Sequence, residues 1–315
     1  MTIDAPIPLM LCIDVEPDSS RIGPERTSSF DGFAKIFDLL MDLRPSLEVA
    51  TGQPVRYTWF IRMDPQILEC FGHPGSLFEL EQQRFAALLE CGDELGLHTH
   101  FLRYSSRSNL YVENFEDPVW VRHCIATSVQ AYRDVTGRAC LSHRFGARFF
   151  SMEAAAVLAE QGVRYDLSCE PGAYLPSWDP TSAASRKILR RSPNVPWSIP
   201  FSGVDASLSC GLKSVPLTSV LPSPVVRRLD RRARGVRQTH HLWRHDLDAE
   251  RYWSIAERLL RRGKASHLAF AVRSDALVNG LHADSVRSKI HGLVTHEISK
   301  SIRLTTPSAS IDHVR

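Results

Sequence analysis

Two acidic side chains lie two residues apart at the end of a short apolar run near the amino terminus. The run is LCIDVEP, and its acidic residues are Asp14 and Glu16. On an extended segment the side chains of residues i and i+2 point to the same side, so both carboxylates can face one centre. Taken alone, the pair is also consistent with a surface turn or a helix cap.

Two histidines repeat this spacing in the segment GDELGLHTHF, where they are His98 and His100. One or two carboxylates and two imidazoles form a ligand set suited to zinc or another first-row divalent ion. Three protein ligands would leave one coordination position open for water. The alternative is that the two histidines are structural. We favour the metal site because the acidic pair and the histidine pair both end strand-like segments.

A fifth reactive residue, Arg144, ends a third strand-like segment, in SHRFGARFF. Its permanently charged guanidinium is suited to orienting a nearby carboxylate. The histidines in THHLWRHD, His240, His241 and His245, are weaker candidates. They are interpreted as a polar loop near the substrate, with a second metal site as the alternative.

These residues need a sheet that brings strand ends together. Short apolar, β-prone runs alternate with segments of helical period, which predicts a mostly parallel sheet covered by helices. Chemistry in such a sheet lies at the carboxyl ends of its strands. The expected fold is α/β, a single barrel that is complete or incomplete. The predicted strands are Pro8–Asp14, Tyr57–Arg62, Glu94–His98, Cys140–Arg144, Val163–Leu167, Ser214–Leu217 and His267–Arg273.

Helix signals lie between the predicted strands. An apolar stripe from Phe30 to Met41 follows helical spacing. Ser151 and Asp248 are placed to cap two further helices that end near Gly162 and Gly263. The barrel domain is expected to span residues 1–280, with an irregular, proline-rich excursion at 171–224 over its mouth. Residues 281–315 are expected to form one short helix and a polar tail.

Composition excludes several classes of function. The chain has 315 residues, 43% of them hydrophobic, and a net charge of +3, which argues against a nucleic-acid partner. The basic stretch Arg227–Arg237 lacks interleaved aromatic residues and is interpreted as a solvated loop. No run approaches the 18 apolar residues of a membrane span. The apolar run near the amino terminus is too short for an export signal, so a cytoplasmic location with reduced cysteines is expected.

The order of the motifs resembles the polysaccharide deacetylase family, also called the NodB-homology or carbohydrate esterase 4 group. The similar segments are IDVEP, GDELGLHTH, HRFGARFFSMEAAAVLAEQGVRYDLSCEPG and KSVPL. The resemblance covers roughly residues 8–280, and it is greatest to members that have D-x-E or D-x-D in the first motif. It implies a deformed (β/α) barrel and metal-dependent removal of an acetyl group from a sugar.

The resemblance also implies roles for individual residues. Asp14 matches the catalytic base, and Arg144 matches the arginine that orients it. Glu16 matches the metal-binding carboxylate, and His98 matches the first metal histidine. The family's second metal histidine lies four residues after the first, where this chain has Leu102, so we predict that His100 takes its place. The predicted metal ligands are therefore Glu16, His98 and His100.

A second departure concerns the acid that protonates the leaving group. The family has a late histidine at a strand end, where this chain has Arg273 in HLAFAVRSDAL. Arginine remains charged at working pH and cannot donate a proton usefully. A loop histidine at 240, 241 or 245 could replace it, or the substrate could be an ester. A third alternative is that catalysis is lost and Arg273 binds an anionic ligand.

The sequence therefore predicts a hydrolase that uses a divalent ion, with Zn²⁺ preferred, to remove an acyl group from an acetylated sugar or glycoconjugate precursor. Two alternatives stay open: an inactive barrel that binds a glycan or a partner protein, and a hydrolase of another non-peptide C–N bond. The sugar, the acyl group and the oligomeric state do not follow from the sequence.

Overall fold

The computed structural model describes residues 6–19, 28–170, 195–199, 211–220, 238–243, 246–263, 265–278 and 280–313. The strands are β1 (Ile7–Val15), β2 (Thr58–Arg62), β3 (Glu94–Thr99), β4 (Leu102–Ser105), β5 (Leu110–Glu113), β6 (Ser142–Phe145), β7 (Tyr165–Asp166), β8 (Trp197–Ser198), β9 (Lys213–Ser214), β10 (Ser219–Val220), β11 (Gln238–Thr239), β12 (Leu268–Arg273) and β13 (Ile302–Leu304). The helices are α1 (Asp31–Thr51), α2 (Pro65–Phe71), α3 (Ser76–Leu80), α4 (Gln82–Glu90), α5 (Pro118–Thr136), α6 (Met152–Glu160), α7 (Ala249–Arg261), α8 (Gly280–Thr295) and α9 (Pro307–Ser310). Each of the seven predicted strands overlaps an observed strand, but the predicted Ser214–Leu217 shares only Ser214 with β9, and the predicted Val163–Leu167 is reduced to the two residues of β7.

The main sheet curls into a barrel. Its strands lie in the order β12-β1-β2-β3-β6-β7-β9-β8, and β13 pairs with the first residues of β1. Every pair on this path is parallel except β8 with β9. Beyond β9, the N–H of Leu217 donates to Cys169 beside β7, and the N–H of Thr218 donates to Ala269 in β12 (3.0 and 2.9 Å). The two sides of the sheet are thereby linked, and the predicted deformed (β/α) barrel is confirmed.

The alternation of side chains along the strands directs the reactive residues into the barrel. Cys12, Phe60 and Ala271 belong to a buried apolar cluster formed by alternate residues of the central strands. Residues of the opposite parity pack outward against the helices in a larger apolar cluster. Because side chains alternate along a strand, the residue two positions after each inward apolar residue also points inward. These next residues are Asp14, Arg62 and Arg273.

Two helix starts follow the predicted capping chemistry. The side-chain oxygens of Ser151 and Asp248 each accept a hydrogen bond from the backbone N–H three residues later, at 3.0 and 2.8 Å. Gly162 and Gly263 follow these helices with φ values of 85° and 60°, which residues with a Cβ rarely adopt. These boundaries confirm the sequence-based expectation for α6 and α7.

A helix is present after residue 280, as expected, but the expected loose tail behind it is wrong for the part that the structure describes. Helix α8 buries Val286, Ile290 and Leu293 in the larger apolar cluster. Strand β13 then pairs in parallel with β1, placing Ile302 beside Ile7. The apolar residues are widely spaced among polar ones, so low local hydropathy conceals their helical period. Residues 280–313 therefore share the core of the barrel.

Several predictions concern residues outside the described ranges. Most of the excursion at 171–224 lies outside them, as do Arg227–Arg237 and His245. Among the described helices, none is both long enough and apolar enough to cross a membrane.

Candidate metal centre

Strand register aligns the reactive residues at one edge of the sheet. Arg62 at the end of β2 lies beside His98 in β3, and His98 lies beside Arg144 in β6. On the other side of β1, Asp14 lies beside Arg273 of β12. All five belong to the carboxyl-terminal edge of the barrel, where parallel α/β folds place their chemistry.

The predicted ligand set converges on one carboxylate oxygen. The Nε2 atoms of His98 and His100 lie 3.3 and 3.2 Å from Oε1 of Glu16. The Nδ1 atom of His98 lies 2.9 Å from the carbonyl oxygen of Arg144, an acceptor, so Nδ1 carries the proton. The Nδ1 atom of His100 lies 2.8 Å from a carboxylate oxygen of Glu113. Both Nε2 atoms are therefore oriented to act as ligands, as in histidines that bind metals.

The spacing of the donor atoms suits a tetrahedral ion. Two ligand atoms at about 2.1 Å from one ion, separated by the tetrahedral angle, lie about 3.4 Å apart. The two contacts to Glu16 have almost this length, and the three donor atoms all lie within 4.8 Å of one another. All three residues are buried. Their nitrogen and oxygen donors fit Zn²⁺ or another first-row divalent ion.

Electrostatics at these residues favours a cation. Although burial opposes ionisation, the neighbouring His100 holds the pKa of the Glu16 carboxyl well below its ordinary value. Burial also opposes protonation of His100, yet Glu16 and Glu113 raise the pKa of the imidazole to about 9. Without an ion, His100 is therefore protonated at neutral pH. Binding an ion through Nε2 displaces that proton, so ion affinity rises with pH until the imidazole is deprotonated.

Asp14 lies beside the ligand set and is held by Arg144. The Nε atom of Arg144 donates to both oxygens of Asp14, at 2.9 and 3.0 Å. Its Nη1 atom donates to the carbonyl oxygen of Leu167 at 2.9 Å, which fixes the guanidinium plane. Burial opposes the charge of Arg144, but Asp14 raises the pKa of the guanidinium. The predicted contact between Asp14 and Arg144 is present.

A buried arginine that the sequence analysis missed, Arg62, contacts the carboxylate of Glu16. Arg62 is 1% exposed, and its Nη1 atom lies 3.3 Å from Oε2 of Glu16. Its remaining donors bind Asp64 (2.8 Å, two bonds) and Gln66 (2.7 Å). Arg62 could have been identified from the sequence, because it ends a predicted strand as Arg144 does.

Replacing Arg62 is expected to destabilise the protein. Arg62→Ala leaves the buried carboxylate of Asp64 without its cation and removes one cation from beside Glu16, so we expect the free energy of unfolding to fall by about 3–5 kcal/mol. Urea unfolding measures this loss. The control Arg261→Ala removes an exposed i,i+4 pair with Glu257 and is expected to cost less than about 1 kcal/mol. Equal losses in the two variants would contradict the assignment.

Two further residues hold the ligands in place, and no pattern in the sequence indicates either of them. The hydroxyl of Ser274 accepts from the backbone N–H of Glu16 (2.9 Å) and donates to its carbonyl oxygen (3.1 Å). Glu113, at the end of β5, binds Nδ1 of His100. Both residues are far from Glu16 in sequence, so only the fold brings them to the site.

Gly146 lies directly against the ring of His100. A Cβ atom at this position would lie 2.1 Å from Nε2 of His100 and 2.2 Å from its Cδ2. A methyl group there must displace the imidazole from Glu16. The absence of a side chain at Gly146 is therefore a steric requirement of the ligand set.

Gly146→Ala is expected to lower divalent-ion affinity by about tenfold or more, because misplacing one ligand is at least as severe as losing its supporting contacts. Titration of the metal-stripped protein with Zn²⁺ measures this change. The control Gly280→Ala adds a methyl group where no atom lies within 4 Å, and its affinity should match the wild type. Unchanged affinity in Gly146→Ala would show that His100 is not a ligand.

Arg273 occupies the position expected from the resemblance. Its Nε and Nη2 atoms bind the two oxygens of Asp275 (3.0 and 2.5 Å), and Nε lies 3.8 Å from Oε1 of Glu16. Burial opposes the charge, but Glu16 and Asp275 keep the pKa of Arg273 above its ordinary value. The guanidinium therefore remains charged beside the site.

The charged residues of the site form one network with an excess of negative charge. Contacts of 4.0 Å or less join five carboxylates and three guanidinium groups through the two histidines. The carboxylates are Asp14, Glu16, Asp64, Glu113 and Asp275, and the guanidinium groups are Arg62, Arg144 and Arg273. With neutral histidines the network has two more negative than positive charges. One divalent cation balances this excess.

Of the other candidate histidines, His240 and His241 lie within the described ranges, and both pack against aromatic side chains. His240 is buried, stacks on Tyr252 with ring centroids 3.8 Å apart, and places Nε2 3.1 Å from the Tyr252 carbonyl oxygen. His241 stacks on Trp243. Within the described ranges, the one group of His, Cys, Asp and Glu side chains with metal-ligand spacing is Glu16, His98 and His100. His245 lies outside the described ranges, so the alternative of a second metal site at the histidine cluster stays a prediction.

Comparison with known proteins identifies the fold. No family model matches the sequence, and no curated protein does. A solved structure of an allantoinase, PuuE, superposes with a TM-score of 0.55 at 11% identity, covering 98% of this chain and 90% of its own. A probable polysaccharide deacetylase from Pseudomonas aeruginosa gives 0.53 at 11% identity, with 98% and 91% covered. A protein from Mycobacterium smegmatis assigned as a polysaccharide deacetylase gives 0.50 at 15% identity, with 99% and 93% covered. The chain therefore has the fold of polysaccharide deacetylases, a fold that also occurs in an allantoinase.

Proposed function

We propose that this protein is a metal-dependent hydrolase that removes an acetyl group from an N- or O-acetylated sugar or glycoconjugate precursor. One observation carries the proposal. The imidazoles of His98 and His100 meet one oxygen of Glu16, next to an aspartate that an arginine holds in place. A carboxylate–imidazole ligand set beside a second carboxylate suits metal-assisted acyl hydrolysis.

The ligands are Glu16, His98 and His100, and the donor set favours Zn²⁺ among the first-row divalent ions. When bound, the ion supplies Lewis acidity, which polarises an acyl carbonyl group and makes water more acidic. The Nδ1 atom of His98 is bound by the backbone carbonyl oxygen of Arg144, and that of His100 is bound by the carboxylate of Glu113. Both histidines therefore direct their Nε2 atoms at the ion site.

Asp14 is the proposed general base. One of its oxygens lies 4.0 Å from Nδ1 of His98, so Asp14 is a direct neighbour of one of the proposed ligands. Asp14 accepts a proton from a water molecule as the water attacks the acetyl carbon. Arg144 holds both carboxylate oxygens in position through its hydrogen bonds.

The leaving group receives little help from Arg273, which is paired with Asp275 and remains charged. An ester releases an alkoxide that needs less assistance than an amine, so we propose that O-acetyl groups are cleaved faster than N-acetyl groups.

Two other functions are compatible with the same site. The fold also occurs in an allantoinase, which favours a hydrolase of another non-peptide C–N bond as the second candidate. An inactive barrel that binds a glycan or a protein is the third, since Arg273 replaces the expected acid.

Two measurements on purified protein separate these functions. We expect one divalent ion per chain after dialysis, and hydrolysis of 4-nitrophenyl acetate that a chelator abolishes and Zn²⁺ restores. A panel of O- and N-acetylated sugars then identifies the substrate class, with allantoin as the comparison. Bound metal without any hydrolysis would favour the inactive barrel. Hydrolysis that is insensitive to the chelator would contradict the proposal.

A further inference from the structure

Glu170 has a buried side chain in which one carboxylate oxygen has no partner. The residue follows β7 and is 0% exposed. Its Oε2 atom accepts a hydrogen bond from the hydroxyl of Thr239 in β11. Its Oε1 atom has no hydrogen-bond partner within the part of the chain that the structure describes. Buried polar atoms normally have partners, and a catalytic role is one explanation for an exception.

Glu170 lies at the same edge of the barrel as the candidate metal centre. The carbonyl oxygen of Leu167, three residues earlier, accepts from Nη1 of Arg144 at 2.9 Å. Burial opposes the charge of Arg144, but Asp14 and Glu170 both raise the pKa of its guanidinium. This cation is therefore within electrostatic reach of both carboxylates. Glu170 is buried to the same degree as Asp14 and His98, which are each 2% exposed.

The carboxylates of the charged network have contacts at both of their oxygens. Their partners are arginine, histidine and backbone N–H groups, and the five residues are Asp14, Glu16, Asp64, Glu113 and Asp275. Glu170 differs from all five, because its Oε1 atom is not engaged. Of these six described carboxyl groups, Glu170 is therefore the one with an oxygen available to a bound molecule.

The charged network supplies no proton donor for the leaving group. Arg273 lies where the acid is expected, but a guanidinium cannot donate a proton usefully. The Nε2 atoms of His98 and His100 are directed at the ion site. A carboxyl group is one of the side chains that act as general acids, and in its protonated form it has one O–H donor. Glu170 is therefore the candidate donor among the described residues of this edge.

We propose that Glu170 is the general acid that protonates the leaving group. The inference rests on the proposed function, and it assigns the acid to a carboxyl group after β7. The water oxygen bonds to the acetyl carbon, and the bond from that carbon to the leaving oxygen or nitrogen breaks. The electron pair of the broken bond takes the proton of Glu170, while Asp14 holds the proton of the water. Proton exchange with solvent then returns both carboxyl groups to their starting forms.

The dependence of the rate on the leaving group tests this role. Glu170→Gln keeps the shape of the side chain but has no acidic proton. Its kcat/KM is compared with that of the wild type for 4-nitrophenyl, phenyl and ethyl acetate, whose leaving groups are increasingly basic. We expect the loss to grow along this series, from less than about tenfold for the nitrophenyl ester to about 10²–10⁴-fold for the ethyl ester. The reason is that nitrophenolate leaves readily as an anion, whereas an alkoxide needs a proton.

A second variant keeps Glu170 and removes its partner. Thr239→Val deletes the hydroxyl that binds Oε2, so the carboxyl group is no longer held in place. We expect the same trend along the series with smaller losses, and this variant provides the test if Glu170→Gln does not fold. The control Glu94→Gln changes a partly buried carboxylate at the amino end of β3, where Ser142 and Ser308 bind it. It should keep the dependence on the leaving group that the wild type shows.

Equal losses for the three esters would overturn the assignment, because a purely structural role lowers all the rates together. Undiminished hydrolysis of ethyl acetate in both variants would also overturn it. Either result, in a wild type that hydrolyses 4-nitrophenyl acetate with its metal, would reject Glu170 and leave the proposed function standing. Failure of the proposed function has a different signature, the absence of metal-dependent hydrolysis in the wild type, and the acid role would then fall with it.

Discussion

Asp14→Asn is expected to lower the rate of acetyl-ester hydrolysis by about 10²–10⁴-fold while one divalent ion per chain is retained. An amide of the same shape keeps the packing of Asp14 but cannot accept the proton of the attacking water. The ligand set is unaffected, because Glu16, His98 and His100 contact one another without Asp14. Elemental analysis and steady-state kinetics on 4-nitrophenyl acetate measure the two quantities.

A surface aspartate provides the control for this variant. Asp38 is 62% exposed at its side chain and approaches Arg84 at 3.8 Å, so Asp38→Asn should change neither rate nor metal content. Loss of the ion in Asp14→Asn would make Asp14 a ligand. A rate within a few-fold of the wild type would remove it from the mechanism.

The sequence groups the residues of the candidate centre where the signal is local. Asp14 with Glu16, and His98 with His100, are pairs whose i, i+2 spacing fixes a common direction on extended backbone. Parallel pairing then brings the strand ends together, and the register places His98 beside Arg144. Spacing and strand order were therefore sufficient to group these residues.

The missed residues act through long-range contacts. Glu113 reaches His100 from the β4–β5 hairpin, and Ser274 reaches Glu16 across 258 positions of sequence. Neither stands in a pattern that indicates its partner. Arg62 differs, because it ends a predicted strand and was overlooked as a candidate.

The tail shows a different limit of sequence analysis. Strand β13 has three residues, and its central Arg303 is only partly buried. Its place in the sheet comes from pairing with Ile7–Leu9 of β1 and not from its own hydropathy. Short strands that are stabilised by a partner leave little signal in their own sequence.

We predict that the second imidazole ligand comes from His100 and not from position 102. His100→Ala is expected to lower Zn²⁺ affinity by about 10²-fold or more, since changes in supporting contacts alone cost 10–100-fold. The rate of hydrolysis should fall with the affinity when the Zn²⁺ concentration is too low to saturate the protein. Competition with a chromogenic chelator measures the affinity, and Leu102→Ala, which removes a buried apolar side chain, should leave it unchanged at temperatures where the variant is folded.

Moving the histidine tests the spacing itself. The double variant His100→Leu with Leu102→His recreates the four-residue spacing of the resembling family. We expect it to remain defective, because Leu102 begins β4 and pairs in register with Glu113, whereas His100 lies against Gly146 with its Nε2 directed at Glu16. An imidazole at position 102 would project from β4, whereas His100 lies just after β3, so the new side chain lacks this orientation. Recovery of wild-type affinity in the double variant would show that the centre accepts either position, and the two-residue spacing would then be incidental to metal binding.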